Sequence, residues 1–126
     1  MRTIVAGSRS ITNYRLVKQA IEQSGIEITV LISGTARGVD KLGERYAREN
    51  NIPVELYPAN WDKYGRQAGI IRNKHMARKA DALILVWDGE SPGSRSMYWL
   101  ARGMKLKVKA YKVVDGELVP YGDSNL

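Results

Sequence analysis

Residues 3–10 read TIVAGSRS, and this stretch shows the pattern on which the rest of the chain is built. Its first four residues form an apolar run with the length of a buried strand, and a Gly/Ser turn follows at once. Beyond the turn, Val17 and Ile21 have helical spacing behind a helix start at Thr12 or Asn13. A buried strand that leads through a glycine turn into an amphipathic helix is the first unit of an α/β fold.

The strand pattern recurs along the chain. Apolar runs predict four further strands, at residues 28–32, 53–57, 82–87 and 107–114. The run ALILVW at 82–87 is apolar at every position, as expected of a central parallel strand that is covered on both faces. An Asp-Gly pair at 115–116 then predicts a tight turn into a short hairpin that returns through residues 117–120.

Helical patterns fill the intervals between these strands. The clearest helix has small or apolar residues at i, i+3, i+4, i+7 and i+8, namely Val39, Leu42, Gly43, Tyr46 and Ala47. A further helix is predicted over residues 64–79, and another begins at Ser91 with Pro92 in its first turn. Strands that alternate with helices predict an α/β, Rossmann-like three-layer sandwich, with a mainly parallel five-stranded sheet and a short C-terminal hairpin.

Length and composition limit the number of domains and exclude several classes of protein. The 126 residues suffice for one domain, and we expect residues 1–126 to form a single domain. The absence of cysteine excludes disulfides and thiol catalysis, and a single histidine, His75, argues against a metal site. The apolar runs are far shorter than the ~20 residues of a membrane helix, and no signal peptide is predicted. These features predict a cytoplasmic protein without a membrane partner.

Basic residues outnumber acidic ones by 20 to 13, which gives a net charge of +7. One cluster contains no acidic residue and comprises Arg66, Arg72, Lys74, Arg78 and Lys79. An excess of this kind favours anionic partners, either nucleic acid or phosphorylated small molecules. Solvated helix faces explain the cluster equally well.

Three loops between a strand and a helix combine glycine, hydroxyl side chains and arginine. They read GSRS at residues 7–10, SGTARG at 33–38 and SPGSRS at 91–96. Glycine lets the backbone approach an anion, the start of the following helix supplies free N–H groups, and arginine adds a bidentate donor. Because the carboxyl ends of parallel strands meet at one edge of the sheet, the three loops together predict a phosphate site there.

Five segments carry a family resemblance: GSR at 7–9, SGTARGVD at 33–40, PANW at 58–61, AGIIRNKHM at 68–76 and WDGESPGS at 87–94. In this order they resemble the SLOG superfamily, and within it the small YspA-like branch found in bacteria and their phages. The resemblance covers roughly residues 2–111 of the chain. Since SLOG relatives commonly dimerise, it also implies a homodimer.

Two better-known relatives suggest different activities. The segment ARGVD at 36–40 is similar to a motif of bacterial DNA-processing protein A, which binds single-stranded DNA. The segment RNKHM at 72–76 and the Gly93-Ser94 loop are similar to the lonely-guy phosphoribohydrolases. Those enzymes cut the N-glycosidic bond of nucleoside monophosphates with an arginine and a glutamate.

The resemblance to these hydrolases is incomplete at the glutamate. Their arginine corresponds to Arg72, whereas Met97 stands where their glutamate would be. Methionine can neither stabilise an oxocarbenium ion nor activate water. The resemblance therefore implies a phosphate site without hydrolysis, unless Glu90 or Asp88 replaces the missing carboxylate from the same loop.

The residues predicted to hold phosphate share small size, a hydroxyl group or a guanidinium: Gly7, Ser8, Arg9, Gly34, Thr35, Arg37, Gly38, Gly93, Ser94 and Arg95. Arg72 is expected to pair with a phosphate or the ribose, with Asn73 beside it at the ligand. Asp40 is predicted either to bind a ribose hydroxyl or to favour the N-terminus of its helix. Trp61 and Tyr64 are predicted either to stack on a base or to plug the edge of the core.

The sequence therefore predicts a protein that binds a nucleotide or a nucleotide-derived small molecule through its phosphates, as a sensor or sequestering protein without a further cofactor. One alternative is a phosphoribohydrolase of nucleoside monophosphates that uses Arg72 and Glu90. A second alternative is a single-stranded nucleic-acid-binding module. We expect any nucleic-acid binding to be weak and nonspecific, because the basic residues are spread over several faces.

Overall fold

A six-stranded sheet forms the centre of the molecule, whose computed structural model describes residues 1–122. The strands are β1 (Arg2–Gly7), β2 (Val30–Ser33), β3 (Val54–Leu56), β4 (Ala82–Trp87), β5 (Lys107–Val114) and β6 (Glu117–Pro120). Their order across the sheet is β3-β2-β1-β4-β5-β6, and every neighbouring pair is parallel except β5 and β6. The predicted parallel sheet of five strands with a C-terminal hairpin is confirmed.

Helices pack on both faces of this sheet and are α1 (Tyr14–Ser24), α2 (Val39–Glu49), α3 (Trp61–Tyr64), α4 (Ala68–Lys79) and α5 (Pro92–Gly103). Alternate residues of the central strands face opposite layers, so Val5 and Ile84 pack with α1 and α2, while Ile4 and Leu85 pack with α4 and α5. The result is the predicted three-layer sandwich. Within residues 1–122, no helix has both the length and the apolar composition needed to cross a membrane.

The helix predicted over residues 64–79 is confirmed from Ala68 to Lys79, but its predicted start is wrong. The chain instead forms α3, a 3₁₀ turn at Gly65–Gln67 and then α4. Gly65 adopts a φ of 58°, which ends α3, and its N–H bonds to the carbonyl of Trp61. Asn60 caps α3 by accepting the N–H of Lys63 at 3.1 Å. Trp61 therefore stands at the start of a short helix of its own.

Smaller differences concern the ends of elements. β2 begins at Val30, two residues later than predicted, because it is Val30 that pairs with Arg2 at the start of β1. The helix start left open between two residues lies at Asn13, whose Oδ1 accepts the N–H of Arg15 at 3.0 Å. The predicted tight turn has positive φ at both Asp115 and Gly116, as a two-residue hairpin loop requires.

The direction in which strands are added reverses between β1 and β4. β2 and β3 lie on one side of β1, and β4, β5 and β6 lie on the other. Gly7 at the end of β1 is paired with Val86 near the end of β4. In open α/β sheets, ligands bind at the carboxyl ends of the strands beside such a reversal. The fold therefore predicts a ligand site at the loops that follow β1 and β4.

Candidate functional site

A cavity of about 450 Å³ lies at the carboxyl ends of β1 and β4. Its walls come from the loop after β1, the start of α2, the middle of α4, and the loop and first turns that lead into α5. The lining residues are Ala6, Gly7, Arg9, Ser10, Ala36, Asp40, Arg72, Asn73, Met76, Asp88, Ser91, Pro92, Gly93, Ser94 and Met97. Its volume lies within the range of small-molecule sites, about 300–1,000 Å³.

Arg72 reaches from α4 to the loop after β2. Its Nη1 donates to the carbonyl of Gly34, and its Nε donates to Asn73 Oδ1 at 2.8 Å. Gly34 is a glycine because a Cβ there would lie 2.8 Å from both Arg72 Nη1 and Asp40 Oδ2. Within residues 1–122 the third guanidinium nitrogen, Nη2, has no hydrogen-bond acceptor. Arg72 is thus fixed in place with one donor nitrogen unused.

Asp40 is the buried carboxyl of the cavity, with 4% of the residue exposed. Its Oδ2 accepts the N–H of Ala36 at 3.2 Å. Burial raises the pKa of Asp40 to about 6, against the opposing effects of hydrogen bonds from Ala36 and Gly7 and of the charge on Arg72. Asp40 therefore changes its protonation state close to neutral pH, unlike an ordinary aspartate.

Two guanidinium groups line the same cavity. Burial lowers the pKa of Arg72, and the positive charge of Arg9 lowers it further. Neither arginine forms an ion pair with a carboxylate in the part of the chain that the structure describes. Arg9 and Arg72 therefore leave strong donors available to an anion between them.

Asp88 joins the loop after β1 to the loop after β4. One carboxylate oxygen accepts the N–H groups of Glu90 and Ser91 at 2.8 and 2.9 Å, and the other accepts the Ser10 hydroxyl at 2.9 Å. The N–H of Asp88 itself donates to Ser8 Oγ at 3.0 Å. Burial raises the pKa of Asp88, but these hydrogen bonds outweigh burial and leave that pKa below its ordinary value. Asp88 is therefore a structural anion of the cavity wall.

The first turn of α5 closes the remaining wall. Ser91 is the N-cap, and its Oγ lies 3.5 Å from the N–H of Ser94 and accepts the Ser94 hydroxyl at 3.3 Å. Gly93 has no atom within 4 Å of the place where a Cβ would stand. Among the described residues its N–H also has no acceptor. The cavity thus meets the positive end of the α5 dipole at an open backbone position.

Seven of the predicted ligand residues line the cavity: Gly7, Arg9, Asp40, Arg72, Asn73, Gly93 and Ser94. Met97, which stands where the hydrolases have a glutamate, also lines it and is 2% exposed. Glu90 is exposed and does not line the cavity, so the geometry does not support a catalytic role for it. Asp88 does line it, but its oxygens are already engaged in hydrogen bonds.

The other predicted ligand residues lie outside the cavity lining: Ser8, Gly34, Thr35, Arg37, Gly38, Trp61, Tyr64 and Arg95. Ser8 is buried beneath the site, where it holds Asp88. The N–H of Thr35 is bonded to Ser33 Oγ at 3.1 Å within its own loop. Arg95 lies over the ring of Trp87, 5.8 Å from its centroid, and Arg37 is exposed. Similar composition therefore did not place all three loops in the same way.

Trp61 and Tyr64 do not plug the core. Their exposed fractions are 51% and 40%, and neither belongs to a buried cluster. Both remain available on the surface beside α4. The alternative in which they seal the edge of the core is wrong because α3 projects its aromatic rings outward.

The lining residues that sequence reasoning missed are Ala6, Ser10, Ala36, Met76, Ser91 and Pro92. Ser10 and Ser91 carried a usable signal, since each lies in a Gly/Ser/Arg loop at the end of a strand next to the reversal. Ala36 and Met76 carried none, because small and apolar residues are common at every packed position. Within residues 1–122, no three His, Asp or Glu side chains are grouped closely enough to bind a metal ion.

Comparison with known proteins gives one family match. The sequence model of the YspA, cpYpsA-related SLOG family matches residues 1–64. That segment contains β1, the loop after it, β2 and the whole of α2, and hence Gly7, Arg9 and Asp40 of the cavity.

Two individual proteins are also similar. The Gene 61 protein of Mycobacterium phage D29 is 38% identical over 72 residues, which cover 52% of this chain and 58% of the phage protein. The X-ray structure of DNA processing protein A (DprA) from Streptococcus pneumoniae superimposes with a TM-score of 0.70 at 18% identity, covering 91% of this chain and 52% of that one. The chain thus spans little more than half the length of either relative, and the likeness to DprA shows the fold alone.

Proposed function

The chain belongs to the YspA, cpYpsA-related SLOG family, and we propose that it binds a nucleotide or a nucleotide-derived small molecule in the cavity at the carboxyl ends of β1 and β4. In this proposal the ligand's phosphates lie between Arg9, Arg72 and the first turn of α5. Residues 1–126 act as one nucleotide-binding domain that senses or sequesters the ligand.

The observation that carries this proposal is the set of unused donors at one cavity. Arg9 and Arg72 line it without a carboxylate partner in residues 1–122, and the N–H of Gly93 opens onto the positive end of α5. Guanidinium groups and helix N-termini are the donors that proteins use for phosphate. An anion supplies the acceptors that these groups lack.

The two carboxyl groups of the cavity fit the same proposal. Asp88 is engaged with donors of its own loops and does not compete for the arginines. Asp40 lies beside Arg72 but forms no ion pair with it, and its raised pKa means that it loses its negative charge as the pH falls through about 6. An ionised Asp40 can accept a ribose hydroxyl, whereas a protonated one can donate to a phosphate oxygen.

Calorimetry with nucleoside mono-, di- and triphosphates tests the proposal. A hydrogen bond to a charged group contributes about 1.5–3 kcal/mol, so Arg72→Ala is expected to weaken binding about tenfold or more. Arg78→Gln is the matched control, because Arg78 is an exposed arginine on the same helix outside the cavity. Equal affinities for wild type, Arg72→Ala and Arg9→Ala would contradict the proposal, as would the absence of binding by every nucleotide tested.

Hydrolysis of nucleoside monophosphates is the second candidate, and Asp40 is the observation that favours it. A buried carboxyl with a pKa near 6 in a cavity has the environment of a general acid. Against it stand Met97, which has no carboxylate at the position of the hydrolases' glutamate, and Asp88, whose carboxylate oxygens already accept hydrogen bonds from its own loops. Chromatography that detects free base released by wild type but not by Asp40→Asn would favour hydrolysis over simple binding.

A further inference from the structure

An aromatic ring and the unused nitrogen of Arg72 face the same small space outside the cavity lining. The space lies over Gly69, in the first turn of α4. A Cβ at Gly69 would lie 3.6 Å from Cη2 of Trp61 and 3.9 Å from Nη2 of Arg72. Trp61 and the guanidinium of the proposed phosphate site are therefore neighbours, although Trp61 is not part of the cavity wall.

Nothing in the fold requires a glycine at this position. Gly69 does not adopt a positive φ, and the distances to a Cβ are those of ordinary van der Waals contact. Alanine would fit and would favour the helix. The effect that glycine does have is to leave the gap between Trp61 and Arg72 open.

The short helix α3 holds the ring of Trp61 at the protein surface. Asn60 caps α3 immediately before it, and Gly65 ends that helix one turn later. About half of Trp61 is exposed, and its ring stacks on no other aromatic ring and on no cation among the described residues. Trp87, by contrast, is buried and lies edge-on to Tyr121.

We propose that Trp61, Gly69 and Arg72 form an aromatic subsite that takes the planar heterocyclic base of a phosphorylated ligand. Arg72 Nη2 binds the phosphate or ribose at the boundary with the cavity, and the base stacks on Trp61 across the gap that Gly69 leaves. The inference rests on the proposed function, because the phosphate fixes which part of the ligand reaches Trp61. Stacking on an aromatic face tolerates different bases, so the subsite selects for a base in general rather than for one base.

The test compares a phosphate probe that has a base with one that has none. Calorimetry measures the affinities of wild type, Trp61→Ala and Gly69→Leu for three probes. The probes are ribose 5-phosphate and the 5′-monophosphates of adenosine and guanosine. On wild type the nucleotides are expected to bind about tenfold more tightly than ribose 5-phosphate. Trp61→Ala removes this advantage, and so does Gly69→Leu, whose side chain fills the gap. The affinity for ribose 5-phosphate stays the same in Trp61→Ala, which leaves Arg72 untouched.

Trp99→Ala is the control, since Trp99 is a tryptophan on α5 that is 60% exposed and lies outside the cavity. Trp99→Ala is expected to bind nucleotides more tightly than ribose 5-phosphate, as wild type does. Nucleotide is also expected to quench its tryptophan fluorescence, whereas Trp61→Ala loses this quenching. If nucleotides and ribose 5-phosphate bind wild type equally, the aromatic subsite is overturned while the phosphate site stands. If neither probe binds, the proposed function itself fails.

Discussion

The loop after β2 and the loop after β4 have similar compositions but different roles. Residues 33–38 read SGTARG and residues 91–96 read SPGSRS. Two polar groups of the first loop are already bonded within the protein, since Ser33 Oγ accepts the N–H of Thr35 and the carbonyl of Gly34 accepts Nη1 of Arg72 from α4. The second loop has an open backbone position at Gly93 and lines the cavity.

The difference shows that glycine serves two purposes in loops of this kind. At Gly38 the chain adopts a φ of 76° and packs against the backbone, where a Cβ would lie 2.7 Å from Cα of Arg9. At Gly93 no atom lies within 4 Å of the same position. The first glycine joins two loops, whereas the second leaves a helix start accessible to a ligand.

Replacing each glycine by alanine is expected to separate the two purposes most clearly. Gly38→Ala combines a strained backbone with a clash against backbone atoms and should lower the free energy of unfolding by about 3 kcal/mol. Gly93→Ala meets nothing and lies in a helix, so it should raise that free energy by up to about 1 kcal/mol. Guanidinium chloride denaturation measures both. A Gly38→Ala protein as stable as wild type would show that the loop after β2 is not a packed joint.

The carboxyl groups at the two loops are expected to respond to pH in opposite directions. The pKa of Asp40 is raised to about 6 in the folded state, so its contribution to stability is present below about pH 4 and is lost as the pH rises through 6. This loss is on the order of 3 kcal/mol. Unfolding measured from pH 4 to 8 should show that Asp40→Asn lacks this loss. If the free energies of unfolding of wild type and Asp40→Asn change with pH in the same way, burial does not raise the pKa of Asp40.

Asp88 should behave in the reverse way and more weakly. Its hydrogen bonds hold its pKa below the ordinary value, so its contribution to stability is present above about pH 4 and is lost as the pH falls through that range. Partial exposure to solvent reduces the effect to about 1 kcal/mol. Asp88→Asn is expected to cost this amount at pH 7 and much less at pH 3. An equal cost at both values would indicate that the negative charge is not what the three donors to the Asp88 carboxylate recognise.

Much of the fold was predictable because its signals are local. The apolar run of β4, the spacing along α2 and the Asp-Gly turn each lie within a few residues, and all three predictions were confirmed. The helix predicted over residues 64–79 failed at a single point. At that point Gly65 adopts a positive φ of 58° and ends α3 before α4 begins.

The site was only partly predictable, because its signals are long-range. That loops after β1 and β4 meet follows from the strand order, and Arg9, Gly93 and Ser94 duly line the cavity. Whether a loop's backbone groups stay free depends on distant partners, as when the carbonyl of Gly34 accepts Arg72 Nη1 from a residue 38 positions away in sequence. Composition could not show that Arg9 and Gly93 line the cavity whereas Thr35 and Arg37 do not.

The smallest expected effect tests Arg37, the exposed arginine of the loop after β2. An exposed arginine contributes to the binding of any polyanion, and each phosphate neutralised on a single strand gives a log–log salt slope of about −0.7. Arg37→Gln is therefore expected to reduce the slope for a labelled oligonucleotide, measured by fluorescence anisotropy, by about that amount, while nucleotide affinity stays unchanged. Arg72→Gln should leave the salt slope unchanged and lower the nucleotide affinity, because its half-buried guanidinium is poorly screened by salt.

The affinity for the oligonucleotide itself should become weak near 150 mM salt, a physiological ionic strength. Tight binding there that Arg37→Gln abolishes would transfer the functional role to the loop after β2 and replace the small-ligand proposal by a nucleic-acid one.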